Sequence, residues 1–227
     1  MLELANIKGY LDFKRYLNRF NQIGLIGFAF GIFERLRNYI LYLIFGFDRW
    51  HVIGTYHLRP YKQQVTSAAQ KLAPSVVLEV GGGLGDILSH IEAPSRYGVD
   101  MDNGVIRAAS FLHGKECKFF VGELDRLNEV LSQIDENKID VLIMVNWLHN
   151  IEFKNMECAI KNILKSKKIE YLVVDIISDL KSGYLYKHSI ADLASIGKII
   201  EIVDGLDGVR EIITLRIGDF GSECQSL

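Results

Sequence analysis

Cysteine is scarce in this 227-residue chain: Cys117, Cys158 and Cys224 are the only three, with no Cys-x-x-Cys pair and no histidine at ligand spacing beside any of them. A disulfide framework and a zinc site are both excluded on that pattern, and a reducing cytoplasm suits it. Positive charge is not in excess either. Twenty-six Lys and Arg face 28 Asp and Glu for a formal charge of −2, too little to attract a phosphate backbone, so nucleic acid is not an expected partner and small molecules are. No apolar run approaches the ~20 residues of a membrane-spanning helix. Glu3 and Asp12 stand where a signal peptide would be basic, and no small-residue cleavage site follows. Internal repeats and low-complexity stretches are missing as well. At 49% hydrophobic and 24% charged residues, what remains is an ordinary globular composition.

Charge divides the chain. The first 59 residues hold eight basic and four acidic side chains, a net +4 that leaves −6 for the rest. Two apolar runs, Ile23 to Phe33 and Tyr39 to Phe47, flank Glu34, Arg35 and Arg37 in this part. They are expected to form helices that pack on the main domain or cover its mouth. The alternative is a helix lying on a membrane surface, a peripheral contact through the N-terminal helices. Residues 1–60 thus read as a helical extension or lid, 61–220 as the main domain, and 221–227 as a polar tail.

From Leu78 onward, short apolar runs alternate with amphipathic segments, the pattern of a parallel sheet flanked by helices. Strands are predicted at Val76–Val80, Arg96–Val99, Lys118–Val121, Asp140–Val145, Tyr171–Ile177, Lys198–Val203 and Glu211–Ile217. Helices are predicted at Gly85–Ile91, Gly104–Leu112, Leu124–Ile134 and Lys154–Lys165. Only a short link built on Asp204-Gly205-Leu206-Asp207-Gly208 joins the last two strands, which permits a hairpin but no helical crossover. The expected fold is α/β, a doubly wound, mostly parallel seven-stranded sheet with an antiparallel last strand, preceded by the helical extension.

The sharpest local signal runs from Val76 to Asp86: an apolar strand, then Gly81-Gly82-Gly83-Leu84-Gly85. Glycine there accepts the dihedrals of a tight turn and lets the backbone touch a ligand. A dinucleotide fingerprint beginning at Gly81 requires glycine at 86, where Asp86 stands, and a Walker loop requires Gly-Lys-Ser/Thr, which is lacking. The segment instead fits Glu-x-Gly-x-Gly-x-Gly through Glu79, Gly81, Gly83 and Gly85. Carboxylates at Glu79 and Asp86 repel a pyrophosphate and attract a sulfonium or an ammonium. Asp100 ends the second strand, where an acid accepts from ribose hydroxyls, with Met101 beside it, and Glu123 ends the third. Asp100 alternatively caps the next helix, for which Asn103 is the better-placed residue, and Glu123 alternatively complements a helix dipole.

With these residues in place, the stretch from about Thr66 to Gly218 resembles the class I S-adenosylmethionine-dependent methyltransferases. That resemblance implies S-adenosylmethionine as cofactor. Glu79, Gly81, Gly83 and Gly85 would form the methionine-binding loop, Asp100 the ribose acid and Glu123 the adenine acid, a position more usually Asp in the family. Asn146-Trp147-Leu148-His149 falls where the family places residues facing the transferable methyl, without the Pro-Pro-Tyr type motif of DNA N-methyltransferases. A second cluster, Arg49-Trp50-His51 and Thr55-Tyr56-His57-Leu58-Arg59-Pro60-Tyr61, reads either as a buried aromatic hinge or as a segment over the cofactor mouth. In the latter case Tyr61 lies near the methionine end, Arg59 and Trp147 face the acceptor, and an arginine fork suits an anionic group on it. The cluster resembles methyltransferases that modify surface glycans or lipid-linked sugars, as in polysaccharide biosynthesis. For a hydroxyl acceptor the general-base candidates are His149 first, then His57 and His51; an amine acceptor stays open. Asp175 has no clear second ligand beside it, so no metal is expected. Two other classes remain: a nicotinamide-dependent oxidoreductase or epimerase, and a non-catalytic, membrane-associated partner domain.

Overall fold

The computed structural model describes residues 13–177 and 184–217, so the expectations for the polar tail and for Cys224 lie outside the described residues. Seven strands form one sheet: β1 (Val76–Val80), β2 (Ser95–Asp100), β3 (Lys118–Val121), β4 (Lys138–Met144), β5 (Lys168–Ile177), β6 (Lys198–Asp204) and β7 (Arg210–Arg216), in the order β3-β2-β1-β4-β5-β7-β6. All neighbours pair in parallel except at β7, which runs antiparallel to both β5 and β6. The five-residue link before β7 forces this, as a hairpin reverses the chain.

Both faces of the sheet are covered, which is why the central strands read as unbroken apolar runs. On one face Leu78, Leu142, Leu172 and Ile213 pack with residues of α5 (Leu127–Leu131) and α6 (Phe153–Ser166). On the other, Val77, Val141, Ile143 and Val173 meet Val65, Ala68 and Ala69 of α3 (Pro60–Gln70). Pro60 opens α3 at its first turn, where a missing N–H costs nothing. A third, smaller cluster joins Leu41 and Phe47 to Leu84 and to Val105 and Ala108 of α4 (Asn103–His113).

Three local expectations are corrected. The two N-terminal apolar runs belong to one helix, α1 (Phe13–Phe45), bent at Gly24, whose φ of 69° breaks the helical path; Glu34, Arg35 and Arg37 lie within it rather than between two helices. The helix expected over Gly85–Ile91 is turns and a single 3₁₀ turn, Leu88–His90. Gly85 is left-handed at φ 76°, and Pro94 follows too soon for a regular helix to form. Asp102, not Asn103, caps α4: its Oδ1 accepts from the amides of Gly104 (2.7 Å) and Val105 (3.2 Å), because Asn103 is already the first helical residue.

Candidate functional site

The strand order reverses between β1 and β4, so the connections leaving their carboxyl ends diverge and open a crevice. The chain leaves β1 through Gly81 to Gly85, and three of these glycines are left-handed, at φ 73° (Gly81), 57° (Gly83) and 76° (Gly85). Side chains are also excluded sterically. A Cβ on Gly81 would lie 2.1 Å from Trp147 Nε1, and one on Gly83 would lie 2.9 Å from His51 Nδ1. The loop is pinned from β2: the amides of Gly81 and Gly82 donate to the Val99 carbonyl, and the Gly83 amide donates to Asp100 Oδ2 at 3.0 Å. The other Asp100 oxygen accepts from the Asp102 amide at 3.1 Å. Asp100 is thus a buried carboxylate that holds the turn from both sides, each oxygen keeping a second lone pair for a ligand.

A cavity of about 700 Å³ opens above these strand ends, within the range of ligand sites. It is lined by Gly81, Asp100, Met101, Glu123, Asn146 and Trp147 from the sequence-predicted set, and by His51 from the pre-strand cluster. Asp48, Asp102, Asn150 and Tyr184 line it as well, none of which sequence reasoning singled out as ligand-contacting. The described lining holds four carboxylates, Asp48, Asp100, Asp102 and Glu123, and no lysine or arginine. Its field therefore favours cations and disfavours phosphates. Beneath it, a chamber of about 50 Å³ is lined by Glu79, Gly81, Gly83, Tyr61, Lys62 and Asp86 among others. Trp50, His51, Gly81 and Asn146 border both spaces.

Charge in the lower chamber differs from the expectation. Burial pushes the Glu79 carboxyl up to about 8, although Lys62 opposes this, so the group is protonated at neutral pH. Its Oε2 accepts from the Leu88 amide at 3.2 Å. Asp86, though buried, is held below its ordinary value by Lys62, whose ammonium donates to its Oδ2 at 2.6 Å and also to the Gly54 carbonyl. Arg37 of α1 approaches the other oxygen at 3.8 Å. The Asp86 charge is thereby neutralised by protein and does not serve the chamber.

Beyond β4, Asn146 sits at φ 74°, a left-handed conformation that costs a non-glycine residue energy and tends to mark functional sites. It is over-determined by neighbours: its amide donates to Asp175 Oδ1 at 2.7 Å, and its side-chain oxygen accepts from Tyr184 at 3.3 Å and Arg210 at 3.4 Å. Arg210 Nη1 reaches Asp175 Oδ2 at 2.6 Å and its guanidinium lies 4.0 Å from the Tyr61 ring centre. Despite complete burial, the adjoining His149 and Arg210 hold Asp175 below the usual carboxylate range.

His149 is fully buried. Its Nε2 lies 3.3 Å from Asp175 Oδ2 without hydrogen-bond alignment, and its ring packs 4.7 Å from that of Tyr184. It does not line the cavity, so the first-ranked base candidate is a residue behind the wall. His57 is likewise elsewhere: its amide and Nδ1 both donate to Glu34 of α1, at 3.1 and 2.7 Å, and its ring stacks on Phe30. Arg59 lies 4.7 Å over the Trp50 ring, outside the cavity lining. Trp147 lines the cavity, but its indole N–H is spent on the Val80 carbonyl at 2.7 Å, so only its apolar ring faces a ligand. His51, placed last on sequence, is the histidine that faces the site, with Nδ1 over Gly83 and Nε2 3.8 Å from Asp48 Oδ2. No group of three or more His, Cys, Asp or Glu among the described residues is arranged to hold a metal ion.

No protein-family model matches the chain, and no curated protein matches its sequence. Solved structures do resemble it. The magnesium protoporphyrin IX methyltransferase ChlM from Synechocystis PCC 6803, with bound SAH, superposes with a TM-score of 0.56 at 16% identity, covering 82% of this chain and 94% of that one. The N-methyltransferase NodS from Bradyrhizobium japonicum WM9, in complex with S-adenosyl-L-homocysteine, gives 0.58 at 16% identity, covering 79% and 97%. A TehB-like SAM-dependent methyltransferase from Corynebacterium glutamicum gives 0.50 at 15% identity, covering 81% and 96%. The chain therefore has the Rossmann-like fold of the class I methyltransferases.

Proposed function

We propose that this chain is an S-adenosylmethionine-dependent methyltransferase acting on a hydroxyl of a small, sugar-type acceptor. The observation that carries this reading is the upper cavity: four carboxylates and no basic side chain among its described residues, opening on a turn of left-handed glycines. A phosphate-free nucleoside bearing a sulfonium suits such a lining, whereas a dinucleotide would set two phosphates against Asp48, Asp100, Asp102 and Glu123. The ligands of the ChlM and NodS structures support the same choice.

The residues fit the cofactor. Asp100 has lone pairs left for ribose hydroxyls, Met101 and Leu124 offer apolar surface for an adenine, and Glu123 offers an acceptor for its amino group. The amino-acid end falls to Gly81, Gly83, Glu79, Asn146 and Tyr61 around the lower chamber. At about 50 Å³ this chamber admits it only when His51, which covers Gly83, swings aside on the short α2 (Trp50–Ile53).

When bound, the cofactor supplies a methyl carbon activated by its sulfonium leaving group. What the chain must do is position the acceptor, exclude water and take up a proton. We assign the uptake of that proton to His51, whose ring borders both spaces and has Asp48 beside it to favour the resulting imidazolium. Trp50, which borders both spaces, offers its ring to a sugar, and Arg59, over that ring from outside the lining, would meet an anionic substituent that projects beyond the cavity.

Thermal shift tests the cofactor. S-adenosylhomocysteine at ~100 times its dissociation constant should stabilise the protein by ~2.7 kcal/mol and NAD should not; stabilisation by NAD alone would end the proposal. Mass spectrometry of extracts incubated with labelled cofactor then identifies the acceptor.

A further inference from the structure

Helix α1 is amphipathic the wrong way round for a helix on a globular surface. Of the buried residues between Leu25 and Ile44, Gly31, Glu34 and Asn38 are small or polar and only Leu41, near the end, is a large apolar one. Gly31 lets the helix approach so closely that a Cβ there would lie 2.4 Å from Leu58, Glu34 accepts from His57, Asn38 donates to the His51 carbonyl at 3.2 Å, and Arg37 approaches Asp86. Its outward side is the reverse: every exposed residue from Leu25 to Ile44 is aliphatic or aromatic. Leu25 and Ile26 are 70% and 73% exposed, Phe33 66%, and Leu43 and Ile44 both 64%. These positions recur at helical spacing along 20 residues, or ~30 Å, far more contiguous apolar surface than a monomer in water ordinarily shows.

We propose that this face seats on the surface of an anionic phospholipid bilayer, with α1 lying in the plane of the interface. Crossing is not an option, since no described helix is long and apolar enough to span a membrane, and the polar side of α1 is bonded to the domain. Charge selects the lipid. In sequence, Lys8, Lys14, Arg15 and Arg19 outnumber Glu3 and Asp12 ahead of the apolar face, and at its far end Arg107 lies 5.5 Å over the Phe45 ring. Cations flanking a one-sided apolar helix are what an anionic interface attracts. After α1 ends at Phe45 the chain turns through Gly46, at φ 74°, and reaches Trp50 and His51 of α2, which line the cavity. The docking itself does not depend on the chemistry proposed above.

Flotation of the full chain with vesicles tests this. The protein should float with an equimolar mixture of phosphatidylcholine and phosphatidylglycerol, float less with phosphatidylcholine alone, and lose binding as salt rises. The double substitution Leu36→Glu with Leu43→Glu should weaken partitioning at least about tenfold while melting temperature and monomer mass by light scattering stay unchanged. If that variant fails to fold, Arg15→Glu with Arg19→Glu should still reduce binding to the anionic vesicles selectively. Wild-type protein that ignores anionic vesicles, or folded variants of both kinds that bind as well as wild type, would overturn the proposal. So would a wild-type dimer that the leucine substitutions dissolve without any vesicle binding.

Discussion

Asp100 Oδ2 lies 3.0 Å from the Gly83 amide, so the acid at the end of β2 and the glycine turn after β1 form a single unit. Asp100 is then more than a ligand group. Asp100→Asn turns one of its two acceptors into a donor and leaves either the Gly83 or the Asp102 amide without a partner. A buried amide so orphaned costs about 1–3 kcal/mol. Stability should fall by about that amount, and S-adenosylhomocysteine affinity should fall at least tenfold because the turn loosens and a ribose acceptor is lost. Calorimetric titration and thermal melting check the two effects separately.

Gly83 gives a sharper test of the turn. Its φ of 57° is strained for any side chain, and a β-branched one would meet the His51 ring. Gly83→Val should abolish cofactor binding, since the new methyls fill the lower chamber, while far-UV dichroism shows the fold retained at a cost of about 1–3 kcal/mol. Unchanged affinity would show that the turn does not contact the ligand.

The raised Glu79 carboxyl makes both stability and binding depend on pH. In the unfolded chain it ionises near 4.5, in the folded one near 8. Its contribution is fully present below about 4.5 and is lost as pH rises through 8, because the folded state holds a proton that the unfolded state has released. Glu79→Gln should therefore flatten the fall in stability between those limits. A bound sulfonium favours the ionised form, so cofactor uptake at neutral pH should release a proton, visible as a dependence of binding enthalpy on buffer ionisation. S-adenosylhomocysteine, with no positive sulfur, should release less, and the glutamine variant should narrow the difference between the two ligands.

The sheet was legible because its strands are short apolar runs and because a five-residue link leaves only a hairpin before β7. The turn was legible for a related reason: three left-handed positions in five residues admit little besides glycine. Charge was not. The spacing of Glu79 and Asp86 suggested two free carboxylates, yet one is protonated by burial and the other consumed by Lys62, a partner 24 positions away. Lys62 and Arg210 carried no local signal, for their meaning arises only when Asp86 and Asp175 are packed beside them. Tyr184 stood in an aromatic stretch after β5, a cue that was there to be used. The inverted face of α1 was half visible, as apolar runs flanked by charge, but which side met the domain depended on Glu34 finding His57.

His51 and His149 separate catalysis from architecture. His149 ranks first by position, next to the strand end, but complete burial behind Tyr184 denies it contact with any acceptor. His149→Ala should lower stability by about 1–3 kcal/mol, since Asp175 loses a neighbour, and should leave turnover within a few fold at temperatures where the variant is folded. His51→Ala should do the opposite. Removing the ring uncovers Gly83, so cofactor affinity should hold or rise, while turnover falls about 10²–10⁴-fold if an acceptor proton passes to it. Rate recovery with rising pH, as the acceptor ionises unaided, would identify the lost group as a base. A His51 variant as fast as wild type would move the proton to water and leave the chain a positioning device alone.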